Sequence, residues 1–288
     1  MNFLFAIDRR FCPLLLDCLW SIFLCGGVEQ CDAYIFHSDL CEGDMLCIRR
    51  DAPKAVTCHF IDVPKELFAS FPVTERYPEQ IYYRLAAPLL LPATLERILY
   101  MDVDIVIINS LVSLYESSFE GNLFMACTHT NDILAKVNAL RLGLTLKENI
   151  PYINTGFMLL NLPLLRKRFD LNAVRSYALE KRNALILPDQ DILTALYGSK
   201  VKLLDAMIYN LSDRTLALYN AVPAHDKRDI AWVRQNSVVI HYIGKNKPWL
   251  ADYRGVLDVF YHENALLRRQ GQPEEVRLYA RERAGIGG

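Results

Sequence analysis

Short apolar runs alternate with helix-like stretches along most of this chain, and few folds accommodate that alternation. Phe3–Ile7, Ala33–Phe36, Val56–Ile61, Arg97–Met101, Leu123–Cys127, Gly156–Leu160 and Val238–Tyr242 read as buried strands. Pro13–Leu24 reads as a helix, with proline near its start and Gly26-Gly27 as its stop. Glu79–Leu91 reads as a helix that Pro88 ends or kinks. Asp189–Tyr197 reads as a short helix closed by Gly198, and Val256–Arg269 as an amphipathic one. Strands alternating with helices predict an α/β sheet. The 288 residues suit one large domain or two small ones, and no internal repeat or Gly/Ser-rich linker divides them.

Composition excludes several classes. A hydrophobic fraction of 52% with 23% charged residues supports a packed core rather than a disordered chain. Lys and Arg total 32 against 33 Asp and Glu, a formal net charge of −1. That balance argues against holding nucleic acid by bulk positive charge, but it leaves one local phosphate site open. Seven of the eight cysteines lie within the first 58 residues, yet no C-x-x-C pair occurs, so zinc-ribbon and thioredoxin-like readings fail. The start, Met1–Arg10, lacks a basic leader region and reads as a buried strand. Pro13–Cys25 contains Asp17 and is too short to span a bilayer. The expectation is a reduced, cytoplasmic protein whose thiols act as small core hydrophobes. The stretch Gln270–Gly288 carries Arg277, Arg281 and Arg283 and few large apolar residues. It reads either as a frayed end or as a basic arm making peripheral contact with the inner face of the cell membrane.

The common nucleotide and hydrolase motifs are absent. There is no G-x-x-x-x-G-K-[ST], and the turn after the first strand is Asp8-Arg9-Arg10 rather than glycine-rich. Residues 8–13 contain no glycine, which also argues against a nucleotidyltransferase. Neither H-E-x-x-H nor G-x-S-x-G occurs. The sequon Asn210-Leu211-Ser212 has no meaning without a secretory route.

Four clusters carry chemistry. Asp102-Val103-Asp104 follows the strongest strand candidate, where α/β proteins bind ligands. Two adjacent carboxylates repel and resist desolvation unless a cation lies between them, and a divalent metal on a diphosphate meets that need. Alone, the pair also fits a solvated loop end; the apolar runs on both sides favour the site. His241-x-x-Gly244-x-x-Lys247-Pro248-Trp249 follows the late strand. His241 alone also fits a core histidine, but beside carboxylates an imidazole favours Mn2+ over Mg2+. Gly244 allows close backbone approach to phosphate, and Lys247 can pair with a phosphate oxygen. Asp189-Gln190-Asp191 opens a helix, where Asp189 reads as an N-cap or as a ligand to sugar hydroxyls. Asn154-Thr155-Gly156 reads as a polar turn feeding a strand.

Taken together, these clusters resemble the family-8 retaining glycosyltransferases, most nearly their bacterial lipopolysaccharide and lipooligosaccharide branch. The match runs in order from Phe3 to Trp249. The resemblance implies a GT-A type, Rossmann-like α/β fold with a mixed, mostly parallel sheet. It implies a catalytic domain over residues 1–249 and a C-terminal helix and basic tail over 250–288. It maps a divalent metal, Mn2+ or else Mg2+, onto Asp102, Asp104 and His241. It places the donor nucleotide at Ala6 and Asp8, and the donor sugar or phosphates at Arg84, Val103, Asn154, Asp189, Gln190, Gly244 and Lys247. Arg10 stands where relatives often have Asn, and His129 where bacterial relatives carry Asp in the acceptor half. The implied reaction moves galactose or glucose from UDP-galactose or UDP-glucose to a glycan or glycolipid acceptor such as a lipopolysaccharide core. Asp189 and Gln190 are the implied catalytic residues, and a neutral Gln190 favours front-side substitution over a covalent intermediate. The alternatives are a nucleotide-sugar-binding protein without turnover and a self-glucosylating enzyme of the glycogenin kind.

Overall fold

A computed structural model of the chain describes residues 1–75, 77–128, 137, 140–142 and 150–270. His129 and residues 271–288, including the tail arginines, lie outside the described residues. The strands are β1 Asn2–Ala6, β2 Cys31–His37, β3 Val56–Asp62, β4 Arg97–Met101, β5 Ile105–Ile107, β6 Phe124–Thr128, β7 Ile153–Asn161, β8 Val201–Leu204 and β9 Val239–His241. Seven of them form one sheet in the order β3-β2-β1-β4-β7-β6-β8. β1 pairs in parallel with β2 and β4, β2 with β3, and β6 with β8. Only β7 runs antiparallel to its neighbours β4 and β6, so the sheet is mixed and mostly parallel. β5 and β9 form a separate antiparallel ribbon.

Alternation along each strand sends side chains to opposite faces. Phe3 and Phe5 of β1 join Leu99 and Met101 of β4 under the helix Cys12–Cys25, which contributes Leu15, Leu19 and Ile22. Leu4, Ile98 and Tyr100 face the other way. There they pack with Tyr82 and Tyr83 and with the helices Leu162–Arg168, Leu171–Glu180 and Pro188–Tyr197. The result is helix, sheet and helix in three layers. A smaller core around Val106, Leu211, Val233, Ile240 and Phe260 supports the ribbon.

Several sequence expectations need correction. Glu79–Leu91 is not one helix but a 3-10 stretch, Glu79–Ala86, followed by a single α turn, Ala87–Leu90. Pro88 lies in the first turn of that helix, where its missing N–H loses no bond. Asn154-Thr155-Gly156 is not a turn; β7 begins at Ile153 and carries all three residues. The helix Glu42–Asp51 was not anticipated, because Ile48 is its one buried residue and gives no apolar stripe. All eight cysteines are free; Cys18, Cys31 and Cys127 are buried and Cys12, Cys25 and Cys58 pack partly buried against the core, so the core-hydrophobe reading fails only for the exposed Cys41 and Cys47. Among the described residues no helix is long and apolar enough to cross a membrane.

The C-terminal helix, Asp258–Gln270, is docked through one acid of the first helix. Tyr261 donates to Asp17 Oδ2 at 3.2 Å, Asn264 donates to the Asp17 carbonyl at 2.8 Å, and Arg268 pairs with the Asp17 carboxylate. Asp17→Ala removes the carboxylate partner of Tyr261 and Arg268, keeps the Asn264 bond to the main-chain carbonyl, and is expected to destabilise the fold by about 1–3 kcal/mol. Amide exchange should accelerate first across residues 258–270. Uniform exchange along the chain with an unshifted urea midpoint would show that Asp17 does not hold this helix.

Candidate functional site

The chain leaves the main sheet at Met101 and enters the ribbon at Ile105, so Asp102-Val103-Asp104 bridges two sheets. Backbone bonds anchor both ends of the bridge. Asp102 N donates to Gly156 O on β7 at 2.7 Å, and Tyr242 N donates to Asp104 O at 3.0 Å. In the ribbon, Ile105 pairs with His241, which sets Asp104 beside the imidazole. Ligating atoms of Asp102, Asp104 and His241 all lie within 4.8 Å of one another. The two acids are partly exposed and the histidine is buried. Val103, between the acids, packs partly buried against the main core.

Each acid has a cation of its own. Arg84 Nη2 donates to Asp102 Oδ1 at 3.0 Å, and Tyr100 Oη donates to the same oxygen at 2.7 Å. The guanidinium also donates to Thr155 O at 2.8 Å and lies 3.2 Å from Asp189 Oδ2, above the Tyr100 ring. Burial works against the Arg84 charge, but Asp102, Tyr100 and Asp189 outweigh it and raise its pKa. Lys247 Nζ pairs with Asp104 Oδ2 and donates to Tyr242 O at 2.6 Å. Burial also opposes the charge of Asp104, yet His241 and Lys247 prevail and hold its carboxyl well below the usual carboxylate range.

The residues that the sequence resemblance mapped to the donor sugar gather next to this cluster. Thr155 Oγ1 donates to Asp189 Oδ2 at 2.6 Å, and Gln190 Oε1 accepts a long 3.4 Å bond from Thr155 N. Asn154 Oδ1 accepts from Gly156 N at 2.9 Å. Asp191 has a different task. Its oxygens accept from Tyr152 Oη at 2.6 Å and from the backbone N–H groups of Ile186 and Leu187, which fixes the loop entering the helix. Burial raises its pKa despite those bonds. Ala6 ends β1, and Asp8 receives the Arg10 backbone at 2.8 Å and its guanidinium at 2.7 Å. Gly244 has φ +89° with open space where a Cβ would stand, a conformation that favours glycine.

A divalent metal fits the residues present. Asp104 Oδ1 is buried without a hydrogen bond, although His241 Nε2 is only 3.2 Å away. Two carboxylates and an imidazole form a borderline donor set that suits Mn2+ and also accepts Mg2+.

The sequence profile described as glycosyl transferase family 8 matches residues 29–252. This chain belongs to glycosyl transferase family 8. It is 29% identical over 197 residues to a lipopolysaccharide 1,2-glucosyltransferase of Escherichia coli, covering 65% of this chain and 54% of that enzyme. The chain thus spans about half the length of that relative. It is 24% identical to the lipopolysaccharide 1,3-galactosyltransferase of Salmonella typhimurium, covering 86% of this chain and 72% of that one. The fold matches that of the galactosyltransferase LgtC, solved with donor and acceptor sugar analogs, at a TM-score of 0.78 and 23% identity. That alignment covers 96% of this chain and 99% of LgtC, and the fold is GT-A.

Two residues of this family-8 site were not read from sequence as contributors. Gly156 lay inside a noted motif but had no role. A Cβ there would meet His241 Cε1 at 2.4 Å and Asp102 Oδ2 at 2.7 Å. Asn210, whose Oδ1 is 2.7 Å from His241 Nδ1, had no local signal because 31 residues separate the pair. Gly156→Ala is expected to displace two of the three metal-facing side chains. Mn2+ affinity, read by electron paramagnetic resonance, should fall by roughly tenfold or more while the circular dichroism stays native. An affinity within twofold of the parent would remove Gly156 from the site.

Proposed function

We propose that this chain is a metal-dependent, retaining hexosyltransferase. It moves galactose or glucose from a UDP-sugar to a glycan acceptor such as a lipopolysaccharide core. The observation that carries the reading is the convergence of Asp102, Asp104 and His241 beside Asp189 and Gln190, at the carboxyl end of the β1 and β4 strands. The names of the family-8 relatives support the substrate class.

Asp102, Asp104 and His241 would hold the cation, with Mn2+ preferred and Mg2+ the alternative. When bound, that ion supplies Lewis-acid stabilisation to a diphosphate leaving group. Lys247 and the Gly244 backbone bind the diphosphate, and Ala6 and Asp8 bind the nucleoside. Arg84, Asn154 and Asp189 orient the sugar; Arg84 ties Asp189 to Asp102 through one guanidinium. The bond from the anomeric carbon to the diphosphate oxygen breaks as the acceptor oxygen attacks from the same face. The acceptor proton passes to the departing oxygen, and UDP leaves. The Gln190 carbonyl stabilises the oxocarbenium-like centre; its single long bond to Thr155 leaves it available for that role. Residues 1–249 form the catalytic domain in this reading, and residues 250–288 add a helix and basic tail. The enzyme would work in the cytoplasm, with the tail at the inner membrane face.

A panel of UDP-sugars with Mn2+, scored by UDP release, tests the proposal. One hexose donor should be hydrolysed slowly without acceptor, and chelation should stop the reaction. Asp104→Asn should lower turnover by about a hundredfold or more. Gln190→Ala should lower kcat while leaving the donor KM nearly unchanged. Donor binding without UDP release from any sugar would instead make the chain a binding protein.

A further inference from the structure

Asn210 belongs to the only motif of the chain that the proposed reaction leaves unused, the sequon Asn210-Leu211-Ser212. It is 3% exposed, so the sequon is closed to modification in the folded protein. The backbone holds it in place. Leu211 forms a parallel bridge with Ile240 of β9; its N–H donates to Val239 O at 3.0 Å and its carbonyl accepts from His241 N at 2.8 Å. This pairing carries the Asn210 side chain to the imidazole, Oδ1 to Nδ1 at 2.7 Å.

A neutral imidazole carries one proton, and its partner decides which nitrogen holds it. An amide oxygen only accepts, so Nδ1 holds the proton and Nε2 keeps its lone pair. The other side of the ring agrees. Nε2 lies 3.2 Å from Asp104 Oδ1 without the alignment of a hydrogen bond, as a bare nitrogen there would. We propose that Asn210 is a positioning residue that fixes His241 in the Nδ1–H tautomer and turns a bare Nε2 toward the two aspartates. The proposal rests on the metal-dependent reading for its purpose, though not for its geometry. Outer hydrogen-bond partners of ligating histidines commonly change metal affinity by roughly 10- to 100-fold.

The test uses the full chain with 15N-labelled histidine, free of metal, at about pH 8, above the ordinary imidazole range. His241→Gln assigns the ring signals. The parent should show a protonated Nδ1 and a bare Nε2. Asn210→Leu should move the proton toward Nε2 and weaken binding of Mn2+ alone by roughly 10- to 100-fold. Asn210→Asp keeps an acceptor and should keep the tautomer, which a merely structural role would not require. A parent ring protonated at Nε2 would overturn the proposal, and this readout needs no variant to fold. An unchanged tautomer with unchanged Mn2+ affinity in Asn210→Leu would also overturn it. If the parent shows the expected tautomer but binds no Mn2+, the tautomer assignment stands and the metal-dependent reading fails.

Discussion

Two carboxylates at the end of a largely buried strand repel each other, and the remainder of the site is built around that repulsion. Asp102 is answered by Arg84 and Tyr100, and Asp104 by Lys247, with the His241 imidazole 3.2 Å away. These partners come from the 3-10 stretch, from β4, from β9 and from the loop after β9. Neither acid is compensated by its own local segment alone. The ribbon of β5 and β9 must therefore dock on the main sheet before the charges balance. The cores that seat it, around Ile105 and Ile107 on one side and Val106 and Ile240 on the other, are thus part of the electrostatics as well as of the packing.

Arg84 links the two halves of the site. Its guanidinium reaches Asp102, Thr155 and Asp189 and lies over Tyr100. A planar fork with several donors suits this task, whereas a lysine would serve as a point charge. Arg84 and Thr155 both engage Asp189, so one guanidinium ties Asp189 to Asp102. Asp191, two residues on, has its oxygens engaged by the loop it folds, although both acids open the same helix.

Seven of the nine strands among the described residues were legible in sequence, most of them because burial on both faces leaves continuous apolar runs, and Arg97–Met101 was read to the residue; the three-residue β5 and the part-exposed β8 were not read as strands. The helices Leu162–Arg168 and Leu171–Glu180 were hard to see. Leu171–Glu180, for example, buries only Val174 and Ala178, too few positions for a clear period. Asp102, Asp104 and His241 were legible because each lies at a strand end, where motif and edge coincide. Asn210 and Gly156 were not. One acts through a contact between distant segments, and the other acts by lacking a side chain, which composition does not reveal.

Net charge misleads for a chain of this kind. The sum of −1 hides a local balance in which Asp8, Asp102, Asp104 and Asp189 face Arg10, Arg84 and Lys247. Each of these cations is already engaged by at least one of the acids. A diphosphate arriving here brings more negative charge to a site with no uncommitted cation among those residues. Sharing Lys247 between Asp104 and phosphate leaves one positive charge for several negative ones. A divalent ion resolves this, because one centre can meet carboxylates and diphosphate oxygens together. That is the physical reason for tying the proposed donor binding to a metal rather than to lysine and arginine alone.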